Sequence, residues 1–466
     1  MSTRIRPGKD SNVSEQPDPE DGESLAGSGD FEPVANVPAT PLLRDRSFLG
    51  MMATQFLGAF NDNLFKQLML LLAIPVGAAA AVEKDRQAVA TIVFAIPFIL
   101  FSGYAGFLSD RFSKRRIIVL AKVAEIVVMM LGLIAFLQFQ LGGTLGLLLV
   151  LFLMGMQSAF FGPGKYGILP EMLPKKHLPR ANGMILMTTF LAIIFGTAVA
   201  GFLGESFIDD TAIPELRAVG LWRGSILCVG IAITGTLTSL VIRRLPAAKP
   251  NLKLHRNSLV VPADTRRLLA QDRALLMALF ASCVFWLVSG IAIQAVNSLG
   301  VTQLREGRFR TSVMTAVIGL GIALGAVIAG RLSRGKIDFR IARFGLWGLV
   351  LFLALLSVSR TGGVHLLGFS GSLVALTLLG MSAGFFAIPV QVFIQERPPK
   401  EQKGRMIAAM NFFNFIAILL SGVLYYVFDR TVEWQGWPRS MIFAMMAGIV
   451  LPLAILYQPK NVDANN

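Results

Sequence analysis

Long apolar stretches, separated by short polar segments, fill the chain from about residue 48 to residue 457. Six lie near 48–81, 87–109, 117–140, 143–164, 181–204 and 220–242, and six more near 274–298, 311–332, 341–359, 366–394, 406–428 and 439–457. A hydrocarbon core of ~30 Å takes about 20 helical residues to cross, so each stretch has roughly spanning length. Lipid offers no partner to a bare backbone, and the alternation of a barrel strand is absent, so the stretches read as helices. The pattern predicts an all-α membrane protein of twelve transmembrane helices in two six-helix pseudo-symmetric halves. The halves are placed at 42–243 and 273–458, joined by a basic cytoplasmic linker at 244–272. Residues 1–41 carry Asp10, Glu15, Asp18, Glu20, Asp21, Glu23, Asp30 and Glu32 among Pro, Gly and Ser, which predicts a disordered acidic tail. A short C-terminal tail, 459–466, closes the chain.

Composition agrees with the pattern: 54% of residues are hydrophobic, 15% are charged and the mean hydropathy is +0.64. A net charge of +15 would fit nucleic acid, but the basic residues sit in short loops between apolar runs. Alternate loops hold Arg111, Lys114, Arg115 and Arg116, then Lys165, Lys175, Lys176 and Arg180, with further basic groups in the linker and near Arg331 and Arg397. That asymmetry is the positive-inside signature, which puts both termini in the cytoplasm and excludes a nucleic-acid partner. Cys228 and Cys283 lie within apolar runs and read as small buried hydrophobes. No metal-ligand cluster, nucleotide loop or catalytic triad is visible, so no cofactor is expected and an enzyme reading has least support.

The first apolar run is interrupted by Asn61, Asp62, Asn63 and Lys66. An ionisable group at bilayer depth costs at least ~2.5 kcal/mol, so it calls for a partner or a cavity. Gln55, Asp62 and Lys66 share one helical face, and Asp62 and Lys66, four apart, have the spacing of an ion pair. That face either lines a wet passage or locks the first helix against a neighbour. Glu125, deep in the third run, is a candidate headgroup or cation site, or the partner of a basic residue in the bundle. Lys122, nearer the loop, is expected to extend to the cytoplasmic surface. Asn411, Asn414 and Ser421 form a second polar face, expected opposite Gln294 and Asn297, where interhelical hydrogen bonding and substrate contact are both open. Glu171 and Glu396 read as structural partners of loop arginines or helix N-termini, with a substrate role as the alternative.

The two halves echo one another. Phe160, Phe161, Glu171, Pro174, Lys175 and Arg180 recur at a single offset as Phe385, Phe386, Glu396, Pro399, Lys400 and Arg405. Gly106-Phe-Leu-Ser109, which opens the loop Gly106-Phe-Leu-Ser-Asp110-Arg111-Phe-Ser-Lys114-Arg115-Arg116, is echoed by Gly330-Arg-Leu-Ser333. Gly106 would admit close helix approach, and Asp110 with Arg111, Lys114, Arg115 and Arg116 would pair in one gate state and part in the other. A topogenic basic loop is the plainer alternative. This loop resembles the signature between helices two and three of the major facilitator superfamily, with Ser113 where that family often has glycine.

Within that superfamily, Gln55-Phe-Leu-Gly-Ala-Phe-Asn-Asp-Asn-Leu-Phe-Lys66 resembles the first helix of the lysophospholipid transporter branch. So do Phe161-Gly-Pro-Gly-Lys-Tyr-Gly-Ile-Leu-Pro-Glu171, Ala181-Asn-Gly183 and Gly404-Arg-Met-Ile-Ala-Ala-Met-Asn-Phe-Phe-Asn414. The resemblance implies the major facilitator fold and inward movement of lysophospholipids across the inner membrane by alternating access. It also implies surrounding membrane lipids and a separate acyltransferase acting downstream as partners. In such a carrier Lys66 would meet a headgroup phosphate and Asp62 an ammonium, with Asn61, Asn63, Glu125, Asn411 and Asn414 as further candidate contacts. The rivals are a proton-coupled major facilitator exporter of small solutes or drugs, and a non-transporting membrane scaffold that works through its acidic tail.

Overall fold

The computed structural model describes residues 42–76, 84–174, 177–211, 216–248, 250–252, 263–332, 338–360, 362–399 and 402–457. Both expected tails lie outside the described residues. The described chain is helical, with one isolated bridge between Ser359 and His365. The helices are α1 Arg46–Leu72, α2 Gln87–Arg111, α3 Lys114–Leu137, α4 Phe139–Met172, α5 Leu178–Phe207 and α6 Trp222–Leu240. A short α7, Ala263–Gln271, precedes α8 Arg273–Ser298, α9 Arg308–Leu332, α10 Phe339–Ser357, α11 Gly368–Glu396, α12 Lys403–Gln435 and α13 Met441–Leu456. The linker is therefore partly helical, and Leu269 of α7 packs into the core.

Ten of these helices, α2 to α6 and α8 to α12, are long and apolar enough to cross a membrane. Helix α13 is apolar but only 16 residues long, and α1, at 27 residues, carries the polar cluster. The molecule is a multi-pass membrane protein. Local chemistry sets the helix ends. Asp45 caps α1 by accepting from the amides of Ser47 and Phe48 at 2.9 and 3.1 Å. The first apolar run continues to residue 81, yet α1 stops at Leu72, three residues before Pro75, which cannot continue a helix. At the start of α4 the chain turns sharply at Gly143, whose φ of 50° and ψ of −148° suit only glycine.

Buried apolar side chains gather in separate clusters. Two draw on α1 to α6 and their flanking segments, and the largest is built almost wholly from α7 to α13. Contact between these sets runs along α5 against α9 and along α2 against α12. Within the second set, α9 and α11 meet through Gly321 and Gly325 on one helix and Gly380 and Gly384 on the other. A Cβ on Gly380 would lie 3.0 Å from the Gly321 Cα, so only glycine permits this approach.

Candidate functional site

Successive residues on a helix are turned by about 100°, so Asn61, Asp62 and Asn63 face three directions. Asn61 is buried and points to α3 and α6, donating to Glu125 Oε1 at 2.9 Å and to the Cys228 carbonyl at 3.2 Å. Asp62 is half-buried and points to α4, where Ser158 Oγ donates to one carboxylate oxygen at 2.6 Å and Gln157 Nε2 to the other at 3.3 Å. Asn63 folds back on its own helix, donating to the Ala59 carbonyl at 2.7 Å. Lys66, also half-buried, sets its ammonium 5.1 Å from the centre of the Phe94 ring on α2.

The direct Asp62–Lys66 ion pair expected from their spacing is not present. The carboxylate is held by hydroxyl and amide donors on α4 and the ammonium by an aromatic face on α2, so both charges border the space between α1, α2 and α4. Gln55, expected on the same face, donates to Thr189 Oγ1 on α5 at 2.9 Å and is buried.

Glu125 is 1% exposed and forms an ion pair with Lys122, itself 1% exposed. Lys122 therefore does not reach the surface. Its ammonium fills a gap left by two glycines: a Cβ on Gly58 of α1 would stand 3.2 Å from Nζ, and one on Gly235 of α6 would stand 2.8 Å away. With Asn61, the pair ties α3 to α1 and α6. The spacing of Lys122 and Glu125 was a readable signal for this pair; the glycine pocket that admits it was not.

The second polar face also divides. Asn414 accepts from Ser282 on α8 at 2.9 Å, while Asn411 is exposed. Gln294 and Asn297, expected opposite these amides, instead join α1 and α2. Asn297 accepts from Gln67 at 2.9 Å and donates to Gln87 at 3.0 Å, and Gln87 donates to the Gln294 carbonyl at 3.3 Å and to the Tyr425 hydroxyl at 3.2 Å. Tyr425 in turn donates to Asp85 at 2.8 Å. Burial pushes the Asp85 carboxyl above the usual carboxylate range, against the bonds it accepts from Gln87 and Tyr425. Nearby, Arg308 makes a two-pronged bond to Asp210 at 2.6 and 2.7 Å.

At the opposite helix ends, Lys114 pairs with Glu171, joining α3 to α4. Arg115 donates to the Ile242 and Leu240 carbonyls at 2.6 and 3.0 Å, joining α3 to the end of α6. Arg111 lies over Phe107 and Phe112, and Arg116 is exposed. Gly106 makes no close helix contact, since a Cβ there would meet nothing within 4 Å. Glu171 thus has a structural partner, but it is a lysine of α3 and not the loop arginine or helix N-terminus expected. Glu396, its counterpart, is exposed, and the pair at that place joins Arg397 to Asp272. Phe160 packs on Phe101 and Tyr104, and Phe386 on Tyr457.

The sequence profile of the Major Facilitator Superfamily matches residues 48–422. The chain is similar to the lysophospholipid transporter LplT of Yersinia pestis (strain Pestoides F), at 27% identity over 395 residues, covering 83% of this chain and 87% of the relative. Among solved structures it resembles a POT family transporter in complex with 5-aminolevulinic acid, with a TM-score of 0.68 and 13% identity, covering 89% of this chain and 95% of the other. The nucleoside transporter NupG gives a TM-score of 0.61 at 14% identity, covering 89% of this chain and 99% of the other. At such identities the structural likeness speaks to fold alone.

Proposed function

The chain belongs to the major facilitator superfamily, and from that premise we propose that it carries lysophospholipids inward across the cell inner membrane by alternating access. The twelve spans are α1 to α6 and α8 to α13, arranged as two six-helix halves with both termini cytoplasmic. Ten helices of spanning length, the separate core clusters and the placement of Lys and Arg support that arrangement. The similarity to proteins named lysophospholipid transporter LplT supports the substrate class.

The observation that carries the reading is the separation of Asp62 from Lys66. An intramembrane carboxylate and ammonium about one helical turn apart, each held by a neutral partner, are free to receive opposite charges. A zwitterionic lysophosphatidylethanolamine headgroup offers both: its phosphate to Lys66 and its ammonium to Asp62. Asn63, Asn411 and Asn414 remain candidate contacts, whereas Asn61, which donates to Glu125, and Glu125, paired with Lys122, shape the site from behind. Lys114 and Arg115 hold α3 to α4 and α6, so the loop from Gly106 to Arg116 moves with its own half during gating.

The test is uptake of labelled lysophosphatidylethanolamine into vesicles, comparing the natural chain with Asp62→Asn and Lys66→Ala at matched amounts of folded protein. Loss of one charge-assisted partner predicts a fall of roughly tenfold or more in each variant. Full uptake by both would remove the site from the reading. Uptake of a soluble compound, with none of the lysolipid, would replace the substrate class.

A further inference from the structure

Between the end of α2, the start of α3 and the segment after α6 lies a cavity of about 670 Å³. Four arginines line it, Arg111, Arg115, Arg116 and Arg244, and among the described residues no Asp or Glu does. Among the described residues no ion pair joins these arginines to a carboxylate: Asp45 is taken by Arg243 and Glu171 by Lys114, and Asp110, beside Arg111, forms no ion pair with them. Arg115 is fixed in place by two backbone carbonyls, which orient its charge without neutralising it. Arg111 is fixed by the rings of Phe107 and Phe112. Ser113, also on the wall, leaves the α3 N-terminus without a side-chain cap, which adds a partial positive charge.

Four like charges around one cavity repel, and the arrangement is relieved by an anion that takes several forked N–H donors at once. Phosphate does this better than carboxylate because it offers more oxygens to planar guanidinium groups. The wall is not uniformly polar: Phe112, 42% exposed, and Leu245 and Pro246 supply apolar surface beside the arginines. A free phosphate has no use for that surface, whereas glycerol and the first acyl carbons of a lipid do. The cavity also sits at helix ends, the depth at which headgroups lie.

We propose that this cavity is a binding site for the headgroup of an anionic phospholipid, separate from the Asp62 and Lys66 site and occupied by a resident lipid. It bridges the α2–α3 loop and the segment that follows α6, so the bound lipid braces the first helix set where it continues into the linker. The side on which the lipid binds is the one read as cytoplasmic above. Binding is measured without transport, so its failure leaves the transport reading untouched.

The full-length protein is purified in a neutral detergent and titrated with phosphatidylglycerol, phosphatidylcholine or inorganic phosphate. Retained lipid is counted by native mass spectrometry, and thermal unfolding is followed in parallel. Phosphatidylglycerol is expected to be retained and to raise the Tm, with phosphatidylcholine and inorganic phosphate far weaker. The double variant Arg116→Gln/Arg244→Gln removes two exposed groups that hold no structural bond in the described residues. It should weaken retention roughly 30-fold. Arg266→Gln/Arg267→Gln, which removes the same charge from α7, should retain phosphatidylglycerol as the natural chain does. Equal retention by the Arg116/Arg244 variant, or equal loss in the α7 control, would overturn the site. An equal Tm rise with inorganic phosphate would overturn the lipid as its occupant.

Discussion

At one end of the helix bundle, polar bonds pass from α1 and α2 to α8 and α12; at the other, three ion pairs among the described residues each stay within a set. The first end holds Gln67, Gln87, Asn297 and Tyr425, together with the two-pronged Arg308–Asp210 contact between the start of α9 and the segment after α5. The second end holds Lys114–Glu171, Arg243–Asp45 and Arg397–Asp272, none of which joins α1–α6 to α8–α13. The two ends also differ in chemistry. The crossing bonds are mostly between neutral amides and hydroxyls, each worth roughly 0.5–1.5 kcal/mol net, so together they bias a conformation without freezing it. The pairs within a set are ionic and partly buried, which suits parts that do not separate. Most of the crossing contacts are thus neutral hydrogen bonds, with Arg308–Asp210 an ionic exception among them. Among the described residues, the polar bonds that join the two sets gather at the end bearing Asp85 and Gln87, the latched end.

The sharpest way to test this contrast is at a pair that no cycle should break. Lys122 and Glu125 lie inside the first set, and Glu125→Gln leaves a buried ammonium without its counter-charge. Breaking such a pair costs about 3–5 kcal/mol, so the Tm should fall steeply, and Lys122→Met/Glu125→Gln should recover much of the loss. Spin labels on Leu216 and Trp437, exposed on opposite sets at the latched end, should show an unchanged distance distribution at temperatures where the variant is folded. A widened distribution would mean that the pair belongs to the moving parts, and the contrast would break.

A smaller effect, with the opposite signature, is expected from Arg308→Gln. It removes the crossing contact to Asp210, which retains Arg217 as a partner at 3.2 Å. Asp210 is partly exposed, so the loss is about 1–2 kcal/mol, roughly a tenfold change in the ratio of latched to open states. The same spin-label distance should lengthen while the Tm barely moves. A lower Tm with no change in distance would make Arg308 a structural residue like Lys122.

Much of the fold was legible because a membrane imposes one length and one backbone solution on every apolar run, and the described helices fall on the twelve runs. Departures had local causes: Pro75 shortens the first run, and residues 263–271 of the linker are helical. The site was legible in its residues and less so in its partners. Asp62 and Lys66 stand out because a charge in an apolar run is conspicuous, but their spacing suggested a mutual bond that Ser158, Gln157 and Phe94 replace. Gln67 and Gln87 carry no signal in the sequence, because a lone amide in an apolar helix follows no pattern until its partner on another helix is known. The nearness of Lys122 to the loop points it to the surface, and only the gap between Gly58 and Gly235 explains why it stays inside. Side-chain direction on a single helix follows from the sequence; which neighbour it meets does not.

The smallest effect expected is a pH response of the latched end, carried by Asp85. Its carboxyl accepts from the Gln87 amide and side chain at 2.9 and 3.0 Å and from Tyr425, while Asp429 and Arg439, paired with one another, lie close by on the other set. Burial raises its pKa in the latched state; an opened, hydrated end would return it toward the ordinary carboxylate value of about 3.9. The latched state therefore holds a proton more tightly than the open one. Lowering the pH toward the raised value should shorten the Leu216–Trp437 distance, and raising it should lengthen that distance. Asp85→Asn, neutral at every pH, should hold the short distance throughout and flatten the response. A latched population that grows as the pH rises would mean that the bonds from Gln87 and Tyr425 to the ionised carboxylate outweigh its burial. Asp85 would then be a fixed anchor, like the ion pairs of the opposite end, and the chemical difference between the two ends would reduce to which helices each bond joins.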